Sequence, residues 1–260
     1  MPMVTEDAAK PFSAADRPAD PPWAAGVARP RPWTAEPGRV TFENPWMAVT
    51  EQPATAPTGA SASYGVMRPK SLAVGVLPLH GDGTVTLVGQ QRFALMNFSW
   101  EMPEGGAPFD EDPLAGARRE LAEEAGLKAG VWVEALRVEL SNSITDERAV
   151  SWLAWDLEPV EGLGPDETEA LVVARPRFTA LLDAIAAGQV RDAFTVATAL
   201  RAYHMARRMC CRAGWPMSCW PRAEPSPRRT HGPSEAGRTD ARSVDPSARQ
   251  RRRGGGGRTP

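Results

Sequence analysis

Residues Trp100 to Leu127 read WEMPEGGAPFDEDPLAGARRELAEEAGL, a Pro/Gly-rich approach followed by a short acidic segment with helical periodicity. Asp112 is a good N-cap, Pro113 suits the first helical position, and Gly126 suits a left-handed residue just after the last turn. The sequence therefore predicts a helix from Pro113 to Ala125.

The predicted helix carries two different stripes of side chains. At roughly 100° per residue, its apolar residues share one stripe, which we expect to be buried, and its glutamates share a neighbouring stripe, which we expect to face outward. Like charges at these spacings repel by a few tenths of a kcal/mol, and Mg²⁺ or Mn²⁺, which prefer oxygen ligands, would relieve that repulsion. An ordinary surface helix is the alternative, because glutamate is a good helix former. The apolar stripe is Leu114, Ala117, Leu121 and Ala125, and the acidic one is Glu120, Glu123 and Glu124.

The spacing of the whole stretch resembles a known family signature. Gly105 is followed by five residues and Glu111, then by seven residues and the run Arg119-Glu-Leu-Ala-Glu-Glu-Ala-Gly-Leu127. This resembles the Nudix box, GX5EX7REUXEEXGU with U a bulky apolar residue, in every fixed position. Members of that family use divalent metal to hydrolyse a nucleoside diphosphate linked to a further group X.

The resemblance implies roles for particular residues of the box and its approach. Glu120, Glu123 and Glu124 would be metal ligands, and Arg119 would hold a glutamate in orientation. Glu104 would add a ligand through its backbone carbonyl. Gly105 and Gly106 are expected to let the backbone turn sharply at this point.

Composition bounds the rest of the chain. With 260 residues and a net charge of −2, there is room for one domain with extensions, and the chain as a whole suggests no polyanion partner. No apolar run is long enough to cross a bilayer, and Met1 to Lys10 is too polar for a signal peptide, so we expect a cytoplasmic protein without a membrane partner. The cysteines, Cys210, Cys211 and Cys219, lack a four-ligand zinc spacing.

Three segments follow from the distribution of residue types. Residues 1–38 are rich in Pro and Ala without a sustained period, and predict a disordered leader. Residues 39–208 would form the folded domain. From Arg201 onward there are fourteen Arg against four Asp or Glu, and residues 209–260 predict a disordered basic tail. Such a tail could bind nucleic acid, but a solvated tail is favoured because no folded reader accompanies it.

The expected fold class is α+β. The resemblance implies a Nudix-type α/β/α sandwich with a mixed β-sheet, plus a short N-terminal β-sheet over residues 39–68. That sheet is similar to one in ADP-sugar pyrophosphatases that helps to form a dimer; an extra sheet packed on its own chain is the alternative. Within the core, Ser71–Leu79 and Thr84–Gly89 predict two strands of a hairpin with its turn at Asp82-Gly83. Later patterns predict strands over 131–140, 149–157 and 170–174, and two helices over 178–187 and 192–207 that serve packing.

Residues outside the box are expected to recognise the substrate. Gln90-Gln91-Arg92 resembles a motif of ADP-ribose and related sugar-nucleotide hydrolases, so Arg92 could meet a phosphate through two parallel hydrogen bonds. A plain strand-end arginine is the alternative. Glu101 matches a family position that often contacts the nucleotide or its terminal ribose; a merely exposed glutamate is the alternative, but its place next to the box favours function.

Two polar loops after the box supply further candidates. The loop over residues 141–148 resembles one that carries an acidic residue toward the metal site, and Glu147 is the candidate for a further metal ligand or a substrate contact. The second loop covers residues 164–169 and precedes the predicted strand over 170–174. Within it, Glu167 and Glu169 are both candidates for the base that deprotonates the attacking water. An exposed loop glutamate is the alternative for Glu147, and the sequence does not choose between Glu167 and Glu169.

The leading functional hypothesis is Mg²⁺- or Mn²⁺-dependent hydrolysis of a nucleoside diphosphate sugar such as ADP-ribose, giving a nucleoside monophosphate and a sugar phosphate. Other enzymes of the family would act on a dinucleoside polyphosphate, NADH or an oxidised nucleoside triphosphate. A non-catalytic nucleotide-binding module is a rival from another class, but the intact box glutamates speak against it.

Overall fold

The computed structural model describes residues 19–160, 164 and 170–209, in which two helical layers enclose one mixed sheet. The strands are β1 (Thr34–Ala35), β2 (Arg39–Glu43), β3 (Met47–Thr55), β4 (Ser61–Pro69), β5 (Ser71–Pro78), β6 (Leu87–Arg92), β7 (Asn97–Glu101), β8 (Glu104–Pro108), β9 (Leu127–Glu139), β10 (Arg148–Pro159) and β11 (Val172–Ala174). The helices are α1 (Pro113–Ala125), α2 (Phe178–Ala186) and α3 (Ala193–Met209).

The central sheet has the strand order β8-β5-β10-β9. Strand β10 runs parallel to β5, whereas the β5–β8 and β10–β9 pairs are antiparallel. Strand β5 and the first half of β10 are largely apolar and buried, as expected for strands covered on both faces. The sheet is therefore mixed, with β8 at one edge.

Alternate side chains of β5 pack on opposite helical layers. Leu72 and Val74 face α1, where they meet Ala117 in one apolar cluster. Leu77 of β5, and Leu79 just after the strand, face the other way and join a larger cluster with residues of α2 and α3. A period-2 strand between two helical layers is the expected arrangement for an α/β/α sandwich, and the predicted fold class is confirmed.

Helix α1 begins and ends where the sequence predicts. The Asp112 side chain accepts hydrogen bonds from the amides of Leu114 and Ala115, and Gly126 adopts φ +63°, the left-handed conformation of a C-cap. The expectation that its acidic stripe faces outward is wrong for Glu120 and Glu124. Glu120 and Glu124 are 9% and 5% exposed, because α1 packs against β8 with this stripe turned toward the sheet edge.

The predicted hairpin at Asp82-Gly83 is only partly present. The turn forms, with the Asp82 side chain accepting from Thr84, and a single bridge joins Leu79 to Val85. Beyond it the strands separate, since β6 pairs with β7 and β11 in a sheet of three strands while β5 pairs with β8 and β10. Local sequence specified the turn, and non-local pairing decided the partners of its strands.

The N-terminal sheet contains β1, β2, β3 and β4, all antiparallel. The break between β2 and β3 falls at Asn44-Pro45, as the sequence indicated. The prediction that ordered structure begins at Arg39 is wrong, because β1 at Thr34–Ala35 already pairs with β3. Residues 1–18 of the predicted leader, and the tail with its cysteines from residue 210 onward, lie outside the described residues.

The two C-terminal helices pack on the central sheet from the side opposite α1. Phe178 and Leu181 of α2 and Phe194 of α3 are buried in the larger apolar cluster. Thr198 of α3 donates a buried hydrogen bond to Ser151 of β10, with 2.8 Å between the two hydroxyl oxygens. No helix of the described part of the chain is long and apolar enough to span a membrane.

Candidate active site

A cavity of about 620 Å³ opens beside the edge strand β8. It is bounded by β8, α1, the start of α3, the loop that follows β9 and the turn between β2 and β3. Its volume is in the range of small-molecule binding sites. The predicted site residues that line it are Arg92, Glu104, Arg119, Glu120, Glu123, Glu124 and Glu147.

Arg119 is the organising cation of the box. Its Nη1 donates to Glu120 at 2.8 Å and to Glu123 at 3.0 Å, and its Nη2 donates to the backbone oxygen of Gly106 at 2.9 Å. Burial opposes the positive charge, but the carboxylates, Glu120 first, raise the pKa of Arg119 above its ordinary value. Arg119 therefore fixes two of the glutamates, which is the geometry that its predicted orienting role requires.

Strand β8 brings the box glutamates against the backbone. The Glu104 amide donates to Oε2 of Glu124 at 2.9 Å. A Cβ on Gly105 would lie within 3.0 Å of the Glu120 carboxylate, so that carboxylate occupies the space that any other residue would fill. The expectation of a sharp turn at Gly105-Gly106 is wrong: both lie in β8, and glycine is needed at Gly105 for close approach.

Arg92, which lines the cavity, is held by Glu101. Nε of Arg92 lies 3.0 and 3.1 Å from the two oxygens of Glu101, and Nη2 lies 2.5 Å from Oε2. Gln90 donates to the same carboxylate at 3.3 Å. Glu101 is 3% exposed, so Arg92 neutralises a buried charge in addition to any contact with a substrate.

Glu147 reaches the cavity from a loop that is attached to the N-terminal sheet. The amide of Met67 in β4 donates to the Ile144 carbonyl at 2.9 Å, and Arg68 forms an ion pair with Asp146 at 2.6 Å. Glu147 is half-buried, and burial raises the pKa of its carboxyl above its ordinary value. The N-terminal sheet thus positions a candidate site residue, a role that the sequence did not indicate.

Three residues that sequence reasoning missed also line the cavity. Asp192, predicted to lie in a packing helix, caps α3 by accepting from the Thr195 amide at 2.6 Å. Trp46 is 75% exposed at the rim, and Lys70 lies next to it, paired with Glu43. An exposed tryptophan after an Asn-Pro turn was the available signal; Asp192 had none, because it is distant in sequence.

The two candidates for the base are not placed. Glu167 and Glu169 lie outside the described residues, in the segment between β10 and β11. Their assignment stays a prediction.

Comparison with known proteins adds a family to this geometry. The model of the NUDIX domain matches residues 69–173, a range that contains the box and both central strands. This segment of the chain is therefore similar to the NUDIX domain. The match lies inside the segment, residues 39–208, predicted to form the folded domain.

The curated relatives resemble this chain over the same region. An RNA pyrophosphohydrolase of Caulobacter vibrioides (strain NA1000 / CB15N) is 36% identical over 86 residues, covering 33% of this chain and 42% of the relative. One from Roseobacter denitrificans is 38% identical over 84 residues, with 32% and 44% covered. An ADP-ribose pyrophosphatase of Mycobacterium tuberculosis is 32% identical over 89 residues, with 34% and 43% covered. The chain thus spans less than half the length of these relatives.

A solved structure supports the fold over a longer range. The crystal structure of an ADP compounds hydrolase aligns with a TM-score of 0.63 at 18% identity, covering 70% of this chain and 98% of that one. At this identity the likeness concerns the fold alone. It confirms the Nudix-type sandwich.

Proposed function

We propose that this protein hydrolyses the diphosphate of a nucleoside diphosphate sugar, ADP-ribose or a close relative, with the help of Mg²⁺ or Mn²⁺. The products are a nucleoside monophosphate and a sugar phosphate. One observation carries the proposal: a single cavity of about 620 Å³ is lined by the box glutamates and by Arg92. Carboxylates for a cation and a guanidinium for a phosphate are the two groups that diphosphate chemistry requires.

The donor set suits a divalent cation of the hard class. Glu120, Glu123 and Glu124 offer carboxylate oxygens, which Mg²⁺ and Mn²⁺ prefer, and the missing side chain of Gly105 leaves the Glu120 carboxylate room beside β8. These three glutamates would hold the cation, with the backbone carbonyl of Glu104 as a further ligand. The bound cation would stabilise the charge that develops on the departing phosphate and lower the pKa of an attacking water.

Arg92 would bind the phosphates through the part of its guanidinium that faces the cavity. Its Nε and Nη2 are engaged with Glu101. Because that pairing fixes the plane of the guanidinium, the arginine needs little reorganisation when a phosphate oxygen arrives. Glu101 in turn holds Arg92, and its contact with the nucleoside or sugar end of the substrate stays a prediction.

Trp46 and Glu147 would bind the two organic ends. An exposed indole at the rim of the cavity offers a stacking surface for a nucleobase, a contact worth about 1–3 kcal/mol. Glu147, half-buried in a loop attached to β4, would accept hydrogen bonds from sugar hydroxyls or bind a further cation. Glu167 or Glu169 would accept the proton of the attacking water.

An RNA with a 5′-triphosphorylated end is a second candidate substrate, favoured by the RNA pyrophosphohydrolases among the relatives. Both candidates would use the same box. They differ in what must fit the rest of the cavity, a compact sugar or an extended polynucleotide.

A substrate panel tests the proposal. ADP-ribose, other nucleoside diphosphate sugars, a dinucleoside polyphosphate, NADH, an oxidised nucleoside triphosphate and 5′-triphosphorylated RNA would each be incubated with Mg²⁺ and with Mn²⁺. We expect AMP and ribose 5-phosphate from ADP-ribose at the highest kcat/KM. Glu134→Gln, on β9 and paired with Arg137, is the control for removal of a carboxylate and should keep the parental rate, whereas Glu124→Gln should lose it.

Three outcomes would contradict the proposal. Preferred cleavage of the RNA would move the substrate to the second candidate. Binding of ADP-ribose without turnover in either metal would indicate a non-catalytic module. Equal rates of hydrolysis in Glu124→Gln and in the parent would show that the box glutamate is not needed for the reaction.

A further inference from the structure

The edge strand β8 carries acidic groups on both of its faces. Gly105 points toward α1, because a Cβ there would meet the carboxylate of Glu120. Glu104, the preceding residue, points the other way: a Cβ on its partner Gly75 would lie 3.4 Å from the Glu104 Cβ and 2.8 Å from Phe194 of α3. The Glu104 side chain therefore belongs to a different group of carboxylates from the box.

That second group contains Glu101, Glu104 and Asp192. One carboxylate oxygen from each residue lies within 4.8 Å of the other two, a spacing that suits ligands of one cation. Among the described residues, these are the three side chains whose potential metal-binding atoms lie this close together. Asp192 is held in place because its Oδ2 caps α3 through the Thr195 amide. Neither Glu104 nor Asp192 is used by the box chemistry described above through its side chain.

Glu104 supplies an independent indication of a ligand. Its Oε2 is shielded from solvent and accepts no hydrogen bond from the described residues. Its Oε1 lies 3.6 Å from Nη2 of Arg92, a guanidinium whose shorter contacts are all with Glu101. A buried carboxylate oxygen without a donor is rare in native structures and calls for a partner.

The local charge balance points to a cation as that partner. Three carboxylates share one guanidinium, that of Arg92, and Arg92 lies on the Glu101 side of the group. A second positive charge between Glu104 and Asp192 would satisfy Oε2 and reduce the repulsion among the carboxylates. Oxygen ligands alone favour cations such as Mg²⁺ and Mn²⁺ over those that prefer nitrogen or sulfur.

We propose that the side chains of Glu104 and Asp192, with Glu101, bind a divalent cation of the Mg²⁺ and Mn²⁺ class, distinct from the cation of the box glutamates. The two positions lie on opposite faces of β8 and border the same cavity. The inference rests on the proposed function only for the choice of these cations. The opposing possibility is that Glu104 stays protonated and donates a hydrogen bond to a neighbouring carboxylate.

Counting bound Mn²⁺ on the full chain without substrate tests the inference. Electron paramagnetic resonance of free Mn²⁺ during titration gives both the number of ions and their affinities. We expect two classes of bound ion in the parent. Glu104→Gln, which preserves the shape of a protonated carboxyl, should abolish one class or weaken it by about 10- to 100-fold, a loss seen even for indirect supports of metal ligands.

Three matched variants complete the design. Asp192→Asn should weaken the same class, and it keeps a good N-cap for α3, so it serves if Glu104→Gln does not fold. Glu124→Gln should weaken the other class and leave this one. Glu134→Gln should change neither, and circular dichroism confirms the fold of each variant.

The inference would be overturned if Glu104→Gln and Asp192→Asn both bound the same number of Mn²⁺ ions as the parent, with the same affinities. It would also be overturned if the parent bound a single class of Mn²⁺ that Glu124→Gln removes. The proposed function fails separately. Hydrolysis that needs Glu124, with unchanged Mn²⁺ binding in Glu104→Gln, leaves the function standing and this inference refuted. If Glu104→Gln loses one class of bound Mn²⁺ but the parent hydrolyses none of the panel substrates, the inference stands and the proposed function is refuted.

Discussion

Replacing Gly105 by alanine tests whether the space left by the glycine is what positions the box. The new Cβ would lie within 3.0 Å of the Glu120 carboxylate. Because that carboxylate is the end of a flexible side chain, it can move without breaking β8. Its 2.8 Å charged hydrogen bond from Arg119 would then be lost or lengthened.

The expected magnitude follows from that one contact. A hydrogen bond to a charged group contributes about 1.5–3 kcal/mol, which at 1.4 kcal/mol per factor of ten is about 10- to 150-fold. We expect Gly105→Ala to lower both Mn²⁺ affinity at the box and kcat/KM for ADP-ribose within that range. The melting temperature should fall only modestly, since the backbone of β8 need not move.

The assay pairs isothermal titration with Mn²⁺ and steady-state kinetics, and its control is Gly65→Ala. Gly65 also lies in a strand, and a Cβ there meets nothing within 4 Å. Parental affinity and rate in a folded Gly105→Ala would refute the reasoning. If Gly105→Ala is instead strongly destabilised, a double-mutant cycle with Glu120→Ala decides: a clash with Glu120 predicts that the second substitution relieves the loss.

Three further predictions concern other parts of the molecule. Glu147→Gln should reorder the substrates of the panel more than it lowers the best rate, whereas Glu124→Gln should lower all rates alike; equal losses in both variants would contradict this division. His80→Gln should reduce the loss of thermal stability on acidification: burial lowers the pKa of His80, so its contribution is present above the ordinary value of about 6.5 and is lost as the pH falls through the lower folded-state pKa. If His80→Gln showed the same difference in melting temperature between pH 8 and pH 5 as the parent, this prediction would be wrong. Thr198→Val should cost about 1–3 kcal/mol of unfolding free energy in urea titrations, because Ser151 keeps a buried hydroxyl without its donor; Thr198→Ser is the control.

Sequence predicted best the features that local chemistry determines. The limits of α1 follow from Asp112, Pro113 and Gly126, which act within one helical turn of the ends. The turn at Asp82-Gly83 is also local and was found. The pairing of its flanking strands was not, because β5 and β6 choose partners that are distant along the chain.

The site shows the same limit. Periodicity groups Glu120, Glu123 and Glu124 on one stripe, but only the docking of α1 on β8 decides that this stripe lies against the sheet edge. Asp192 joins Glu104 because α3 begins close to the first residue of β8, a neighbourhood that no spacing in the sequence encodes. The family resemblance supplied candidate residues for the box and its flanks. It indicated neither the burial of the acidic stripe against the sheet edge nor the proximity of Asp192 to Glu104.

The attachment of the loop carrying Glu147 to β4 has a thermodynamic consequence. The Met67 amide bonds to Ile144, and the Asp146 amide bonds back to Met67 at 3.4 Å, so the loop can leave the cavity only by opening this pair of main-chain bonds. Slow exchange of the Met67 amide proton with solvent deuterium would therefore measure the free energy of that opening. By linkage, a substrate that engages Glu147 must slow this exchange. Conversely, a change that loosens the N-terminal sheet must weaken substrate binding by the same factor, although it does not contact the substrate.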